Sequence, residues 1–207
     1  MPEVVLFGLP PSTYVRTAMM ALENKQVPYR FENVDFRSDE YLERHPFRRV
    51  PAFQHGDVRL FEVLAIGTYV DEVFDGPALQ PSDPAALAEM MQWISAVNDY
   101  VYDIVVRKCV NERFVKPMRG LEPDEAMIAA AKPVIGQTLD VFDNALSNRD
   151  FLAGPKFTLA DMFLAPILVY FAVTPEGQEI LPGRKHLSTW LERVRQTPGF
   201  ERINSLG

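Results

Sequence analysis

The sequence predicts an α/β domain followed by an all-α domain, and three observations carry that prediction. Short apolar runs with strand character alternate with helical spacing through residues 1–75. Gly76 to Pro84 then carries three prolines (Pro77, Pro81 and Pro84), the composition of a stiff linker. Everything after Pro84 repeats apolar residues in a three-four rhythm. The domains are accordingly placed at 1–75 and 84–207, joined by 76–83.

With 207 residues the chain is long enough to bury a proper core, and 47% hydrophobic against 24% charged residues is a globular balance. A net charge of −7 argues against nucleic acid, which calls for a basic face. The single cysteine, Cys109, excludes an internal disulfide, a paired-cysteine redox motif and a zinc cluster. His45, His55 and His186 lack metal-ligand spacing, so no metal is expected. No secretory leader is read at the N-terminus. The longest apolar run, Met162 to Val173, is short and interrupted by Pro166, which reads as a buried helix rather than a membrane span. The expectation is a cytoplasmic protein with neither a membrane nor a nucleic-acid partner.

In order, Val4-Val5-Leu6-Phe7 is a continuous apolar run ending at Gly8, as a doubly covered strand should be. Leu9-Pro10-Pro11 is a loop, Ser12-Thr13 a helix start, and Val15, Ala18, Met19 and Leu22 one helical face. Pro28 breaks that helix, and Tyr29 to Phe36 alternates as a second strand, which favours a right-handed parallel crossover. A looser stretch around Tyr41 and Leu42 leads to Val50-Pro51. His55-Gly56-Asp57 then turns Ala52-Phe53 back into Val58-Arg59-Leu60-Phe61 as a hairpin, and a helix carrying Leu64, Ala65, Tyr69 and Val70 follows. This order is that of a thioredoxin-like domain. Beyond the linker, Ser82-Asp83-Pro84 caps a long helix running to about Phe114, with Leu87, Met90, Ile94, Val97, Val101 and Ile104 along its seam. Ile135, Leu139, Phe142 and Leu146 form a matching stripe on a helix that Pro133 should kink. Thr158 and Asp161 form a capping box, with Phe157 and Met162 spaced as a hydrophobic staple, and Leu187, Trp190, Leu191 and Val194 mark a last substantial helix.

The stretch from Arg48 to Val70 carries the chemistry. Glu62 sits where the second hairpin strand hands over to a helix whose first backbone N–H groups favour an anion. A carboxylate and an ammonium could therefore be held together, which describes an amino-acid head group; a solvated acid at a strand–helix junction is the other reading. Valine–proline, hairpin, acidic residue, then a helix with Ala65-Ile66 and Tyr69 resembles the N-terminal domain of the cytosolic glutathione transferases. FTLADMFLAP, from Phe157 to Pro166, resembles the cap of that family's C-terminal domain. The resemblance covers most of the chain and departs at one point: the family's acidic residue is usually followed by serine, and here by Val63.

The resemblance implies a glutathione transferase fold, glutathione as co-substrate, a small electrophile as second substrate and a homodimer. GLPPSTYVR, from Gly8 to Arg16, resembles the serine-using, phi-like or bacterial motif. It makes Ser12 the donor to the glutathione thiolate, with Tyr14 and Thr13 as alternatives; by itself Ser12 also reads as a helix cap. Val50, before an implied cis Pro51, would pair with the cysteinyl backbone of glutathione, whereas a plain trans proline opening an edge strand is the other reading. Arg48 and Arg49 stand where the family has glycine and glutamine. Either could bind the glycine carboxylate, or both could be solvated. The electrophile pocket, in which Tyr14 is also counted, is expected between the domains under the long helix. There Tyr100 and Arg107 share one helical face and Tyr102, Val106 and Cys109 another, unless these faces are simply core or interface. Phe47 resembles the aromatic key of dimeric members, or packs in its own loop. Val63 leaves open a binding or scaffold module on the same fold, and a glutathione-dependent lyase, isomerase or dehalogenase is equally compatible.

Overall fold

A computed structural model describes residues 2–204, so residues 205–207 of the predicted second domain lie outside it. The chain divides into two compact units. One runs to Gln80 and takes up the chain again at Arg195; the other spans Pro81–Val194.

In the first unit, β1 (Val4–Gly8) is buried along its whole length, as its unbroken apolar run requires. The sheet order is β2-β1-β3-β4. Strand β2 (Arg30–Asn33) pairs parallel to β1, and α1 (Thr13–Asn24) makes the crossover between them. Strands β3 (Ala52–His55) and β4 (Val58–Phe61) form the antiparallel hairpin around Gly56, whose φ of 58° suits glycine. The second strand ends at Asn33, short of the Phe36 expected from sequence. Asn33 pairs with Gly8, the last residue of β1, so later residues have no ladder to join. Helix α3 (Val63–Val73) and α1 pack together. Gly8 permits the close approach of α1, because a Cβ there would fall 2.5 Å from Cγ2 of Val15. A buried ion pair, Lys25 Nζ to Asp71 Oδ1 at 2.7 Å, ties α1 to α3, and Asp71 also accepts from the Leu79 N–H at 2.8 Å.

The C-terminal segment departs from the sequence reading, which placed it in the helical domain. Helix α10 (Pro198–Asn204) packs on α1 of the first unit. Gly199 makes this possible, since a Cβ there would come within 2.8 Å of the Met20 Cα. Phe200 and Ile203 are buried. Two apolar residues are too few to announce a helix by periodicity.

In the second unit, Asp83 caps α4 (Pro84–Ala96), accepting from the Ala86 N–H at 2.9 Å, with Pro84 in the first turn. The long helix then widens into a π-helical segment, Val97–Val115, and closes with a short turn, α5 (Lys116–Met118). The Lys116 N–H bonds the Asn111 carbonyl, five residues back. The buried residues Val97, Val101, Val105, Val106, Cys109 and Val110 recur at steps of about four, between α and π pitch. Charge pairing agrees: Asp103 meets Lys108, five residues on, at 2.7 Å but Arg107, four on, only at 3.8 Å. Helix α6 (Glu125–Ala145) contains Pro133 without ending there and buries Ile135, Leu139 and Phe142. Helix α7 (Leu159–Ala172) is the central buried helix, followed by α8 (Pro175–Ile180) and α9 (Lys185–Val194). Among the described residues no single helix is long and apolar enough to cross a membrane.

Candidate functional site

Strand register brings the sequence-predicted residues of the first unit to one edge of the sheet. Phe7 of β1 pairs with Ala52 of β3, and Ala52 pairs with Phe61 of β4, so these three stand in one row across three strands. The loop to Ser12 leaves from the β1 end of this row. Val50-Pro51 enters it just before Ala52, and Glu62-Val63 leaves it just after Phe61. Three loops distant in sequence therefore open at the carboxyl end of β1, where sheets of this kind collect ligands.

Ser12 is half-buried and caps α1: its Oγ accepts from the Val15 N–H at 3.4 Å. The cap uses a lone pair only, so the hydroxyl proton remains available to a further acceptor. No acidic residue occupies the first turn of α1, which leaves the positive end of the helix dipole uncompensated beside Ser12. Thr13 is 5% exposed, and its carbonyl accepts from the Thr17 hydroxyl at 3.1 Å. Tyr14 is half-buried and has a partner of its own. The Pro10 carbonyl accepts from Nε of Arg16 at 3.0 Å, which pins the loop before Ser12.

The Val50-Pro51 bond is cis. Glu62 is exposed, precedes α3 with φ 69° and ψ 116°, and makes no capping bond with its side chain. A non-glycine residue held there costs about 1–3 kcal/mol, and such conformations gather where a ligand is gripped. Val63, the first residue of α3, is only 5% exposed. The Glu62 carbonyl accepts from the Ile66 N–H, so the N–H groups of Val63, Leu64 and Ala65 precede the intrahelical ladder.

The two arginines differ. Arg48 has φ 51°, and its guanidinium donates to the Arg37 carbonyl, to the Ser38 carbonyl at 3.1 Å and to Asp39 Oδ1 at 2.7 Å. It fastens its own loop to α2 (Asp39–Leu42) rather than standing open for an anion. Arg49 is exposed. Both Arg49 and Glu62 act on His45, a buried imidazole 5.0 Å from the Phe61 ring whose Nδ1 accepts from the Phe47 N–H at 3.3 Å. Burial lowers the His45 pKa, opposed by the nearby Glu62 carboxylate.

Of the residues predicted for an electrophile pocket, Tyr14 lies in the first unit and Tyr100, Tyr102 and Arg107 in the second. There the π-helical winding, with bonds reaching five residues back, sets aside the expected α-helical pairing of Tyr100 with Arg107. Tyr102 lies beneath Arg107 instead, the guanidinium carbon 5.5 Å from its ring centre. Tyr100 is 66% exposed, whereas Val106 and Cys109 are buried. Burial, with the neighbouring Glu176 carboxylate, pushes the Cys109 thiol up to about 12, so it is no nucleophile. Among the described residues no group of three potential metal ligands comes together.

Sequence reasoning passed over Tyr41 as a loop residue. It is 3% exposed, and its hydroxyl donates to the Arg49 carbonyl at 2.9 Å, next to Val50. The only signal was a tyrosine among charged residues, which does not say where its hydroxyl points.

Comparison with known proteins covers nearly the whole chain. Residues 2–72 match the family model for the glutathione S-transferase N-terminal domain, and residues 86–198 match that for the C-terminal domain. Glutathione S-transferase F7 of Arabidopsis thaliana is 28% identical, covering 98% of this chain and all of its own length. A glutathione S-transferase of Hyoscyamus muticus is 32% identical over 87% of this chain and 85% of its own. Among solved structures, glutathione S-transferase I from mais in complex with an atrazine glutathione conjugate superposes with a TM-score of 0.86 at 25% identity. It covers all of this chain and 98% of its own.

Proposed function

Since this chain belongs to the glutathione S-transferase family, we propose that it binds glutathione at the carboxyl edge of its sheet and activates the thiolate through Ser12 for attack on a small electrophile. The observation that carries the assignment to Ser12 is its capping geometry. Oγ takes the Val15 N–H and keeps its own proton to donate, at a helix start with no competing acid. Cap and thiolate donor are one arrangement rather than rival readings. Tyr102 and Arg107, stacked on the long helix of the second unit, and the exposed Tyr100 are the residues we assign to the electrophile. A single buried thiol suits a reducing cytosol.

Glutathione is anchored at three points in this reading. The γ-glutamyl carboxylate meets the N–H groups opening α3, and its ammonium meets Glu62. The cysteinyl backbone pairs with Val50, and the glycine carboxylate meets the exposed Arg49. Val63 lacks the hydroxyl that serine supplies in the family. A hydrogen bond to a charged group is worth about 1.5–3 kcal/mol, part of which water replaces, so glutathione binds roughly tenfold more weakly than with a hydroxyl there.

Calorimetric titration tests the reading. Val63→Thr tightens glutathione binding about tenfold. Its hydroxyl lies at a buried position, so the free variant is less stable than wild type and recovers when glutathione is added. If neither Val63→Thr nor Val63→Ser changes affinity, the head group does not dock at α3. If wild type fails to bind millimolar glutathione while Val63→Thr binds it, the protein is a binding module on the transferase fold.

We also assign Phe47 as the contact of a homodimer. It is 69% exposed, edge-on to Phe61 at 6.1 Å, on a segment braced by the Phe47 N–H to His45 bond. Phe47→Ser shifts sedimentation toward monomer with unchanged helix content. A dimer unaffected by the change removes Phe47 from the interface.

A further inference from the structure

We infer that Tyr41 is a positioning residue for glutathione, acting through the Arg49–Val50 peptide. The inference rests on the reading that Val50 pairs with the cysteinyl backbone. The Tyr41 hydroxyl donates to the Arg49 carbonyl at 2.9 Å. Its ring lies in a buried cluster with Val5, Phe7 and Ala52, against which Val50 packs. The Arg49–Val50 bond is trans, so its C=O and N–H point in opposite directions across one rigid plane. With the carbonyl drawn inward to Tyr41, the Val50 N–H is turned away from the cluster, and rotating it requires breaking the tyrosine bond.

The anchor is itself anchored. Ser38 Oγ accepts the Tyr41 N–H at 3.2 Å, and the Tyr41 carbonyl accepts from the Arg44 and His45 N–H groups at 2.9 and 3.0 Å. Arg48 holds the same loop from the other side through Ser38 and Asp39. Burial pushes the Tyr41 hydroxyl up to about 12, so it remains a neutral donor throughout the range in which the thiolate chemistry runs. The positively charged Arg44 opposes that rise. The donor thus fixes one half of a paired backbone contact without touching glutathione.

Tyr41→Phe keeps the ring and removes the donor. Glutathione affinity then falls about fivefold, KM for glutathione rises with it, and kcat at saturating glutathione stays within about twofold. A packing defect would instead lower melting temperature and kcat together. Two further measurements separate the donor from the ring. With 4-aminophenylalanine at position 41 an N–H again faces the Arg49 carbonyl, and affinity returns toward wild type. For a glutathione analogue with an E-alkene in place of its cysteinyl–glycine amide, which offers the Val50 N–H no carbonyl acceptor, wild type and Tyr41→Phe bind equally. Unchanged affinity of Tyr41→Phe for glutathione overturns the role of Tyr41 and leaves the function standing. A wild type that does not bind glutathione overturns the function itself. An equal loss for the alkene analogue overturns the route through Val50.

Discussion

Replacing Ser12 with alanine lowers turnover by ~10²–10³, the scale of removing one donor from a developing anion at a preorganised site. A free thiol titrates near ~8.5 and is mostly protonated at neutral pH. The Ser12 hydroxyl and the N-terminus of α1 both favour the thiolate, the first by a charge-assisted hydrogen bond and the second by its dipole. The variant retains the helix dipole, so the bound thiol rises only part of the way to its free value, and the acid limb of the rate profile, where the thiolate is lost to protonation, moves up with it. Stability changes little. The cap bond to the Val15 N–H is long at 3.4 Å, and losing such a cap costs about 0.5–1 kcal/mol. Glutathione affinity falls far less than turnover, because the γ-glutamyl and glycine ends dock elsewhere. An alanine variant with full conjugating activity transfers the role to Tyr14.

Asp161→Ala lowers the unfolding free energy by about 4 kcal/mol or more, since each buried donor left unpaired costs about 1–3 kcal/mol. The carboxylate is fully buried and receives four donors. Oδ1 takes the Leu152 N–H at 2.9 Å and Trp190 Nε1 at 2.8 Å; Oδ2 takes the Thr158 N–H at 2.9 Å and its hydroxyl at 3.1 Å. It thereby joins the start of α7, the loop before it and α9. Asp161→Asn keeps the shape but turns an amide N–H₂ toward donors, so it also destabilises. Burial pushes the Asp161 carboxyl up to about 6 from 3.8, against the pull of its four donors. The native state therefore holds this proton to higher pH than the unfolded chain does. The group's contribution to stability falls as pH rises from about 4 to about 6 and is level above that. Urea unfolding at the two ends of this window shows the advantage of wild type over Asp161→Asn shrinking as pH rises. A widening gap contradicts the raised pKa, and an alanine variant as stable as wild type contradicts the network.

The role of Asp161 shows how far local pattern reaches. Thr158 and Asp161, three residues apart, announce a capped helix by spacing alone. That the same carboxylate also receives Trp190 and Leu152 depends on where α9 and the preceding loop come to rest, and no spacing encodes this. The long helix gives the converse case. Its apolar seam was legible, but its pitch was not, because steps of four fit both α and π winding until the backbone bonds choose. That choice moved Arg107 from Tyr100 to Tyr102.

The sequence by itself determined the features that depend on neighbours in the chain. These are the α/β order of the first unit, the caps at Ser12, Asp83 and Thr158, the hairpin at Gly56 and the helical character of the second unit. Each follows from side-chain period or from a residue's own backbone preferences. Only the tertiary structure decided what depends on register and long-range packing. It set Phe7, Ala52 and Phe61 in one row, so that Ser12, Val50 and Glu62 open at one edge. It engaged Arg48 with Asp39 while leaving Arg49 exposed, and aimed the Tyr41 hydroxyl at the Arg49 carbonyl. It also laid α10 on α1 through Gly199. A hydrogen bond between residues eight apart across a loop has no period, so it becomes visible only once the chain has closed on itself.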